Sequence, residues 1–476
     1  MPQPGRCLQG SCRVPSVMGE GPAPADGVLT ASRDTQRRRR CPAMLQAGWS
    51  RAEITPPVGV DLCGFGGRSG PSEGVHDRLF AKALCVTAGR GSVALITADL
   101  IGLDAATVAR VRARAQALLG ERGPALMIAC SHTHSGPSTP CLPFLGEPDP
   151  SYMDRLLETL ADLVARAVAA RRDARLGFGQ AHAQVGINRR ERLEDGRIAL
   201  GRNETGPTAP YVDVLRIEAD SGCAVLFSHT AHPVTLGGDN LLISGDWPGY
   251  AQRFTEELLG ERCLALYGQG CCGDINSDPR GSFEVAEAQG RTVAEAVAAV
   301  VPTISLADVG EVSVASEVID LPLQDPPPLE EARAVLAAAE RDRDGNVATD
   351  SYGGRLVRRG LVAWAERLVA LAEAGAAGLT LPYEIQALRI GDGAIVGLPG
   401  EVFVAYQQQI KACSPFPHTS VLAYANGNPG YVPTAEAFPQ GGYEVDSAIQ
   451  CYGTTMLTPD CEALIVKAAC GLLQTL

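Results

Sequence analysis

The chain has few aromatic residues, few histidines and no long uncharged apolar run. Aromatics make up 5% of its 476 residues, histidine occurs seven times, and the formal net charge is −13. This acidic balance argues against a nucleic-acid partner and against docking on an anionic membrane. No stretch reaches the roughly 18 uncharged apolar residues that a membrane span requires, so we expect no transmembrane segment. The hydrophobic fraction of 45% is ample for a large core.

The cysteines show no metal-binding or disulfide pattern. There are fifteen, an odd number, without any CxxC pair, and many lie in apolar runs, as Cys85 does. The adjacent Cys271 and Cys272 form no metal motif, and a disulfide between neighbours would be strained. We therefore interpret the cysteines as small buried hydrophobes in a reducing cytosol rather than a disulfide framework. With no recognisable export signal, this predicts a cytoplasmic protein.

The first 43 residues differ from the rest of the chain. They are rich in Pro, Gly, Ser and Arg, include the run Arg37–Arg40, and show neither a helical nor an alternating period. We predict either a disordered extension or a start codon placed too far upstream. The folded domain is then expected to span residues 44–476.

Beyond this extension, strand-like and helix-like patterns alternate. Residues 105–119 predict a helix, with Asp104 as its N-cap and Gly120 just past its end. Residues 47–57 resemble a short edge strand that a Pro-Pro pair ends. A break at residues 325–328 precedes two charged helical patterns, which predict a helical insertion at about residues 325–380. The fold class is α/β, with a mixed β-sheet core and flanking helices.

The most informative motif is Ser131–Pro137, with the sequence SHTHSGP, directly after the apolar run Ala125–Cys130. Residues i and i+2 of a strand point to the same face, so His132 and His134 can address one site. Imidazole is the commonest metal ligand and the usual acid or base near neutral pH. The motif therefore predicts a catalytic site, in particular a metal site.

A second histidine cluster, His229 to His232, ends another predicted strand. Pro233 disfavours helical geometry at His232 and indicates a strand end or turn. A histidine in such a place is commonly only hydrogen-bonded, and that alternative stays open. A catalytic zinc needs about three protein ligands, which the two clusters supply only in part.

Short motifs in a shared order over about 400 residues resemble the neutral/alkaline non-lysosomal ceramidases, a family of zinc-dependent amide hydrolases. These motifs are Gly74–Leu79, Ser131–Pro137, Asn188-Arg189, His232–Val234, Asn240–Asp246, Gly270–Asp274, Leu398–Glu401 and Asn426–Thr434. The resemblance implies a ceramidase-like catalytic domain, and the sequence shows no room after it for the family's C-terminal immunoglobulin-like domain.

The resemblance also implies roles for individual residues. It implies a Zn²⁺ ion with the ligands His132, His232, Glu401 and Tyr431. His134 matches a proton-transfer histidine, and Arg189 and Tyr443 match residues that contact the substrate carbonyl or the reaction intermediate. Without the resemblance, Glu401 would be interpreted as a surface loop residue and Tyr431 as a packed aromatic, and those alternatives stay open.

One position departs from the family pattern. Asn276 stands where the family has a serine, and Ser277 comes one place later. The amide of Asn276 can donate a hydrogen bond to an oxyanion but cannot attack, which favours a metal-activated water over Ser277 as the nucleophile. A structural asparagine in a tight turn is the alternative. Three aspartates could orient the histidines or simply serve turns and caps: Asp99, Asp246 and Asp274.

The predicted function is therefore a zinc-dependent hydrolase that cleaves the N-acyl amide bond of a small soluble or lipid-like substrate. Low aromatic content and acidic charge offer no membrane-docking patch, which favours a substrate smaller than ceramide. Esterase, lactonase or acyl-transfer chemistry on the same site is one alternative. A non-catalytic relative that binds a metal or ligand is another. The sequence does not indicate which oligomeric state the protein adopts.

Overall fold

The computed structural model describes residues 45–345 and 351–476, so the extension predicted for residues 1–43 lies outside the described residues. The strands are β1 (Gln46–Glu53), β2 (Gly74–Val75), β3 (Phe80–Ala88), β4 (Gly91–Ala98), β5 (Ala125–Cys130), β6 (Arg172–His182), β7 (Gly186–Arg192), β8 (Ile198–Asn203), β9 (Tyr211–Ala219), β10 (Gly222–His229), β11 (Leu242–Ile243), β12 (Cys263–Gln269), β13 (Ile275–Ser277), β14 (Val312–Pro322), β15 (Thr380–Ile390), β16 (Gly393–Gly397), β17 (Glu401–Val402), β18 (His418–Leu422) and β19 (Tyr431–Val432). The helices are α1 (Ala105–Leu119), α2 (Pro150–Ala169), α3 (Asp246–Leu259), α4 (Phe283–Val300), α5 (Leu329–Gly345), α6 (Tyr352–Glu373), α7 (Val404–Cys413), α8 (Ala437–Gln440), α9 (Tyr443–Asp446) and α10 (Cys461–Thr475).

The largest sheet has eight strands in the order β12-β10-β9-β6-β1-β3-β4-β5. Most neighbours run antiparallel, whereas β4/β5 and β10/β12 run parallel. Both parallel pairs lie at the outer edges of the sheet. The mixed α/β fold predicted from the sequence is confirmed.

A four-stranded sheet, β14-β15-β16-β18, packs face to face against the large sheet. Leu84, Leu215 and Leu226 of the large sheet share one buried cluster with Leu388 and Leu422 of the small sheet. Helices α2, α3 and α4 contact strands of the large sheet, and α10 packs on β14 and β15. In the sequence, helices α5 and α6 come between strands β14 and β15, which pair with each other in the sheet. This is the region where a helical insertion was predicted.

Helix α1 illustrates how local sequence sets element boundaries. The Asp104 side chain accepts a hydrogen bond from the Thr107 amide, and Gly120 follows the helix with a φ of 70°. A carboxylate N-cap satisfies an otherwise unpaired amide, and glycine tolerates positive φ where other residues are strained. The predicted bounds and both caps of this helix are confirmed.

The edge position predicted for the first strand is wrong. Strand β1 lies between β3 and β6 in the middle of the sheet and pairs with β3 along its whole length. Its second neighbour, β6, begins at Arg172, more than a hundred residues later in the chain. A pairing between segments so distant along the chain leaves no local pattern in the sequence.

The chain segment Ala423–Asn426 connects the two edges of the large sheet. The amide of Ala423 donates to Gln269 O at the end of β12 (2.9 Å), and Asn426 N donates to Ile128 O of β5 (2.8 Å). Because this segment bonds to both edges, the carboxyl ends of β5 and β12 lie close together. That closure brings the two histidine-bearing strand ends to one place.

The cysteine interpretation is partly corrected. Cys413 and Cys470 form a disulfide between α7 and α10, whereas eight of the ten free cysteines in the described part of the chain are buried. No helix among the described residues has both the length and the apolarity to cross a membrane.

Candidate metal centre

Two histidines are held by backbone carbonyls at the ends of their strands. His132 Nδ1 lies 2.6 Å from Ile101 O, and His232 Nδ1 lies 2.5 Å from Cys272 O. A carbonyl only accepts, so each Nδ1 carries the proton and each Nε2 presents its lone pair to the site. His132 has a φ of 66°, a conformation that non-glycine residues adopt mainly where function requires it.

Of the two alternatives left open for the three aspartates, the structure favours turns and caps over orientation of the histidines. Their carboxylates accept backbone N–H bonds elsewhere, at 2.9, 2.6 and 2.8 Å: Asp99 from Phe80, Asp246 from Trp247 and Asp274 from Val404. The turn and cap alternative describes them better. Carbonyl groups take the place of the expected carboxylates, and a sequence pattern does not reveal which carbonyl will do so.

The imidazoles converge on one buried carboxylate. His232 Nε2 is 2.9 Å and His132 Nε2 is 3.5 Å from Glu401 Oε2. His134 Nε2 is 3.1 Å from His132 Nε2, and the ligand atoms of the three histidines all lie within 4.8 Å of one another. Glu401 is 4% exposed, and His132 and His232 are 1% exposed or less.

The protonation states of these groups suit a metal ion. Burial lowers the pKa of His232 to about 4, and burial is the largest cause that lowers the pKa of His134 well below its usual range. Burial acts to raise the pKa of Glu401, but His132 and His232 outweigh it, so that pKa lies well below its ordinary value. Neutral imidazoles and an ionised carboxylate are the ligands that Zn²⁺ prefers.

The donor set passes a direct test of fit to a divalent cation. Two Nε2 lone pairs and a carboxylate oxygen face one point, and the buried His134 Nδ1 has no hydrogen-bond partner. Such an unsatisfied buried nitrogen is typical of a site that binds an ion or a water or that takes part in catalysis. The three histidines form one candidate ligand set. The set of His132, His232, Glu401 and Tyr431 stays a prediction.

Glu401 is held by two tyrosines that the sequence did not single out. Tyr452 OH donates to Glu401 Oε1, and Tyr424 OH donates to Oε2 at 3.4 Å. Tyr424 also stacks on His132, with 4.0 Å between the ring centroids. In the sequence these tyrosines look like ordinary core aromatics, and no spacing sets them apart.

Arg189 joins the metal centre to the remaining predicted residues. Its guanidinium donates to Tyr431 OH at 2.8 Å and to Asn276 Oδ1 at 3.2 Å. The Tyr443 ring centroid lies 5.8 Å from that of Tyr431 and 5.9 Å from Arg189 Cζ. The predicted catalytic and metal-binding residues therefore lie in one cluster, in which His134, Asn276 and Tyr443 are partly exposed and the others are buried. A further member, missed in the sequence although it adjoins Tyr443, is Glu444, whose Oε1 accepts from Arg189 Nε at 2.8 Å.

The position of Ser277 argues against this residue as a shifted nucleophile. Its hydroxyl accepts from Thr235 Oγ1 at 3.1 Å, whereas its strand neighbour Asn276 faces Arg189. Successive side chains of a strand point to opposite faces, so Ser277 faces away from the Arg189 cluster. This leaves a water molecule as the better candidate for the attacking group.

Fold and site together define an α/β protein with a buried histidine-carboxylate centre whose three histidines could hold a metal ion. The chain belongs to the neutral/alkaline non-lysosomal ceramidase family, because residues 45–314 match the N-terminal region that defines it. The family predicted from the sequence motifs is thus confirmed.

Similar proteins carry the same family name. A neutral ceramidase of Drosophila pseudoobscura pseudoobscura is 26% identical over 231 residues, which cover 45% of this chain and 32% of that protein. The matched region thus spans about a third of this relative. The crystal structure of neutral ceramidase from Pseudomonas aeruginosa matches 90% of this chain and 74% of its own, with a TM-score of 0.67 and 21% identity. A ceramidase complexed with C2 gives the same TM-score at 20% identity, over 90% and 75% of the two chains, so both structures support the fold.

Proposed function

We propose that this protein is a zinc-dependent hydrolase that cleaves the amide bond of N-acyl substrates. The convergence of His132 Nε2, His232 Nε2 and the Glu401 carboxylate beside Arg189 carries the proposal. Membership of the ceramidase family supports an amide as the bond that is cleaved.

When bound, zinc would lower the pKa of water toward neutrality and polarise the scissile carbonyl. The protein's own proton carrier is His134. Its Nε2 lies 3.1 Å from His132 Nε2 and faces the centre, so this atom can accept the proton of the attacking water and deliver it to the leaving nitrogen. Burial lowers the pKa of His134, so the imidazole is neutral and has a lone pair available to accept a proton.

Arg189 and Tyr443 would stabilise the negative charge that develops on the carbonyl oxygen. Arg189 is 4% exposed and is fixed by Tyr431, Asn276 and Glu444. A donor that is already oriented costs no reorganisation when charge develops, and such donors contribute about 3–4 kcal/mol to transition-state stabilisation. Asn276 acts here by holding Arg189 through its Oδ1.

For the substrate we propose N-acyl amides, ranging from short soluble acyl amines to ceramide-like lipids. The relatives are named ceramidases, which makes an N-acyl sphingoid base the natural upper end of this range. The acidic charge and low aromatic content favour the smaller, soluble end, and we propose a cytoplasmic location.

Metal content and amide hydrolysis test the proposal together. Purified protein is expected to hold about one zinc per chain, and His132→Ala and Glu401→Ala are expected to lose both metal and activity. His182→Ala is the matched control, because His182 is exposed on β6 outside the centre. A panel of amides of increasing acyl length, with ester analogues, would identify the substrate. Wild-type protein without stoichiometric zinc would overturn the proposal, and hydrolysis of esters alone would replace amide by ester chemistry.

A further inference from the structure

Two free cysteines lie side by side at one edge of the large sheet. Cys223 belongs to β10, and Cys263 is the first residue of β12, the outermost strand on that side. The two strands run parallel, and their register pairs Cys223 directly with Cys263. Both thiols are free, and neither belongs to the histidine cluster of the metal centre.

The strand register brings the two thiols within reach of each other. Registered residues of neighbouring strands lie about 4.8 Å apart and direct their side chains to the same face of the sheet. Cysteines can form a disulfide when their Cα atoms are about 4.4–6.8 Å apart. The two side chains do share a face, because Cys223 packs against the buried cluster to which Cys263 belongs. A bond between the sulfur atoms therefore requires no shift of the strand register.

The two cysteines differ in their exposure to solvent. Cys223 is half-buried, so a small reagent can reach its sulfur, whereas Cys263 is 7% exposed. Cys263 also borders a surface cavity of about 730 Å³, which leaves room for a reagent on its side of the pair. Cys223 is therefore the thiol that an oxidant meets first.

The two thiols also differ in acidity. A side-chain hydrogen bond with Cys263 is the largest cause that lowers the pKa of Cys223, and the same bond is the largest cause that raises the pKa of Cys263. The thiolate is the form that attacks, so Cys223 has the character of a nucleophile and Cys263 that of its resolving partner. Cys451, the other half-buried free cysteine of the described residues, differs because burial raises its pKa to about 11.

We propose that Cys223 and Cys263 form a dithiol site that reacts with small hydroperoxides. The Cys223 thiolate attacks one oxygen of hydrogen peroxide, the O–O bond breaks, and the released hydroxide takes up a proton to become water. Cys223 is then a sulfenic acid. The sulfur of Cys263 attacks that of Cys223, the S–O bond breaks, and the hydroxyl group leaves with the Cys263 proton as a second water. Two thiols thus lose two electrons, and one hydrogen peroxide becomes two waters.

The disulfide joins the edge strand β12 to β10 at the ends that are remote from the metal centre. The two strands stay in register from the cysteine pair to His229 and Gln269. Strands rise about 3.3 Å per residue, so the thiols lie about 20 Å from the ends that precede the histidine turns. The dithiol site is thus separate from the metal centre, and its test needs no assay of amide hydrolysis.

Peptide mass spectrometry tests the site in the full chain. Reduced protein is treated with about one equivalent of hydrogen peroxide, blocked with iodoacetamide and digested with trypsin. The expected product is a Cys223–Cys263 link that dithiothreitol removes. Cys263 shares its tryptic peptide with Cys271 and Cys272, so fragment spectra assign the linked sulfur. In a time course, Cys223 is expected to react at least about tenfold faster than Cys451.

Three variants separate the two roles. Cys263→Ser is expected to abolish the link and to leave a sulfenic acid on Cys223, which dimedone traps. Cys263→Ala should give the same result, and it removes the thiol without burying a new hydroxyl. Cys451→Ser is the matched control, because it removes the other half-buried free thiol and should leave the link unchanged.

Specific outcomes would overturn the proposal. A link from Cys223 to Cys271, Cys272 or a cysteine outside the described residues would show that Cys263 is not its partner. Oxidation of Cys451 as fast as Cys223 would show that the pair has no special reactivity. Absence of dimedone adducts at Cys223 in both Cys263 variants would exclude Cys223 as the nucleophile.

Discussion

At the scale of single residues, the metal centre relies on two kinds of support. The histidine rings are fixed by the carbonyls of Ile101 and Cys272, which no side-chain substitution removes. The carboxylate of Glu401 is instead fixed by the hydroxyls of Tyr452 and Tyr424. Groups that hydrogen-bond to metal ligands tune the affinity for the metal. Of the groups that fix the ligands here, the two tyrosine hydroxyls can be removed by mutation, whereas the backbone carbonyls cannot.

Tyr452→Phe is expected to weaken zinc binding by about 10- to 100-fold, because Glu401 loses the donor that orients Oε1. Competition with a zinc chelator measures the change. Tyr383→Phe is the matched control: its hydroxyl is buried too but donates to Pro399 O rather than to Glu401. Equal losses in both variants would show that any buried hydroxyl has the same effect.

We expect the buried His229 to make the stability of the folded protein sensitive to acid. Its Nδ1 lies 2.9 Å from Tyr211 O, its Nε2 is buried without a partner, and burial lowers its pKa to about 4. The unfolded chain takes up this proton near pH 6.5, so the free energy of unfolding falls as the pH drops from 6.5 toward 4, by up to about 1.4 kcal/mol per unit.

The variant His229→Phe is expected to flatten this slope by about one proton, although it lowers stability overall by removing the bond to Tyr211 O. Urea unfolding at several pH values measures the slope. An unchanged slope in His229→Phe would show that His229 does not titrate in this window.

The sequence indicated the members of the candidate centre better than the side chains that support them. His132, His134 and His232 stand out because histidine is rare in this chain, and the family motifs identified Glu401, Tyr431 and Arg189. The supporting side chains act through contacts that form only in the folded molecule; they are Tyr452, Gln269 and Glu444. Gln269, for example, donates to Ser131 O and Ala231 O, beside both histidine turns. A single glutamine in an apolar strand gives no sign of this role.

At the scale of elements, a short parallel pair positions the ligand carboxylate. Strands β17 and β19 pair Glu401 with Tyr431, and the turn before β17 depends on Gly400. This glycine has a φ of 91°, and a Cβ there would lie 2.5 Å from Gly430 O. Both the backbone conformation and the space exclude a larger residue.

Gly400→Ala is therefore expected to destabilise the protein by about 2 kcal/mol or more and to displace Glu401 from the centre. Chemical denaturation and zinc content measure the two effects. Gly471→Ala, in α10 with nothing within 4 Å, is expected to be neutral or to stabilise by up to about 1 kcal/mol. Normal zinc content in Gly400→Ala would show that the turn tolerates a side chain.

Elements were predictable where the information was local. Helix α1 has its N-cap, apolar period and terminal glycine in one continuous stretch, and its bounds were confirmed. The central position of β1 depends on β6, and the Cys413–Cys470 disulfide links residues 57 apart. Neither pairing could be predicted, because nothing near either partner specifies the other.

At the scale of the whole molecule, the metal centre joins distant parts of the chain. His132 follows β5, His232 follows β10 and Glu401 begins β17. These three residues therefore come close together only in the folded state. A metal bound by all three stabilises the folded form over the unfolded form.

Chelation of the metal is expected to lower Tm by several degrees, because free zinc at a hundred times its Kd contributes about 2.7 kcal/mol to stability. Calorimetric scans before chelation, after it and after zinc is restored measure the effect. His132→Ala should show no response to zinc. Identical Tm values for the chelated and restored wild type would contradict a metal at this centre.

The segment Ala423–Asn426, which bonds to both edges of the large sheet, has a consequence for synthesis of the protein. During translation, a chain that ends before residue 401 lacks both the ligand Glu401 and this segment, so β5 has an unpaired edge at Ile128 and Cys130. An uncovered strand edge is a site for aggregation. Nascent chains are therefore expected to be inactive and to need protection by chaperones until these late residues leave the ribosome.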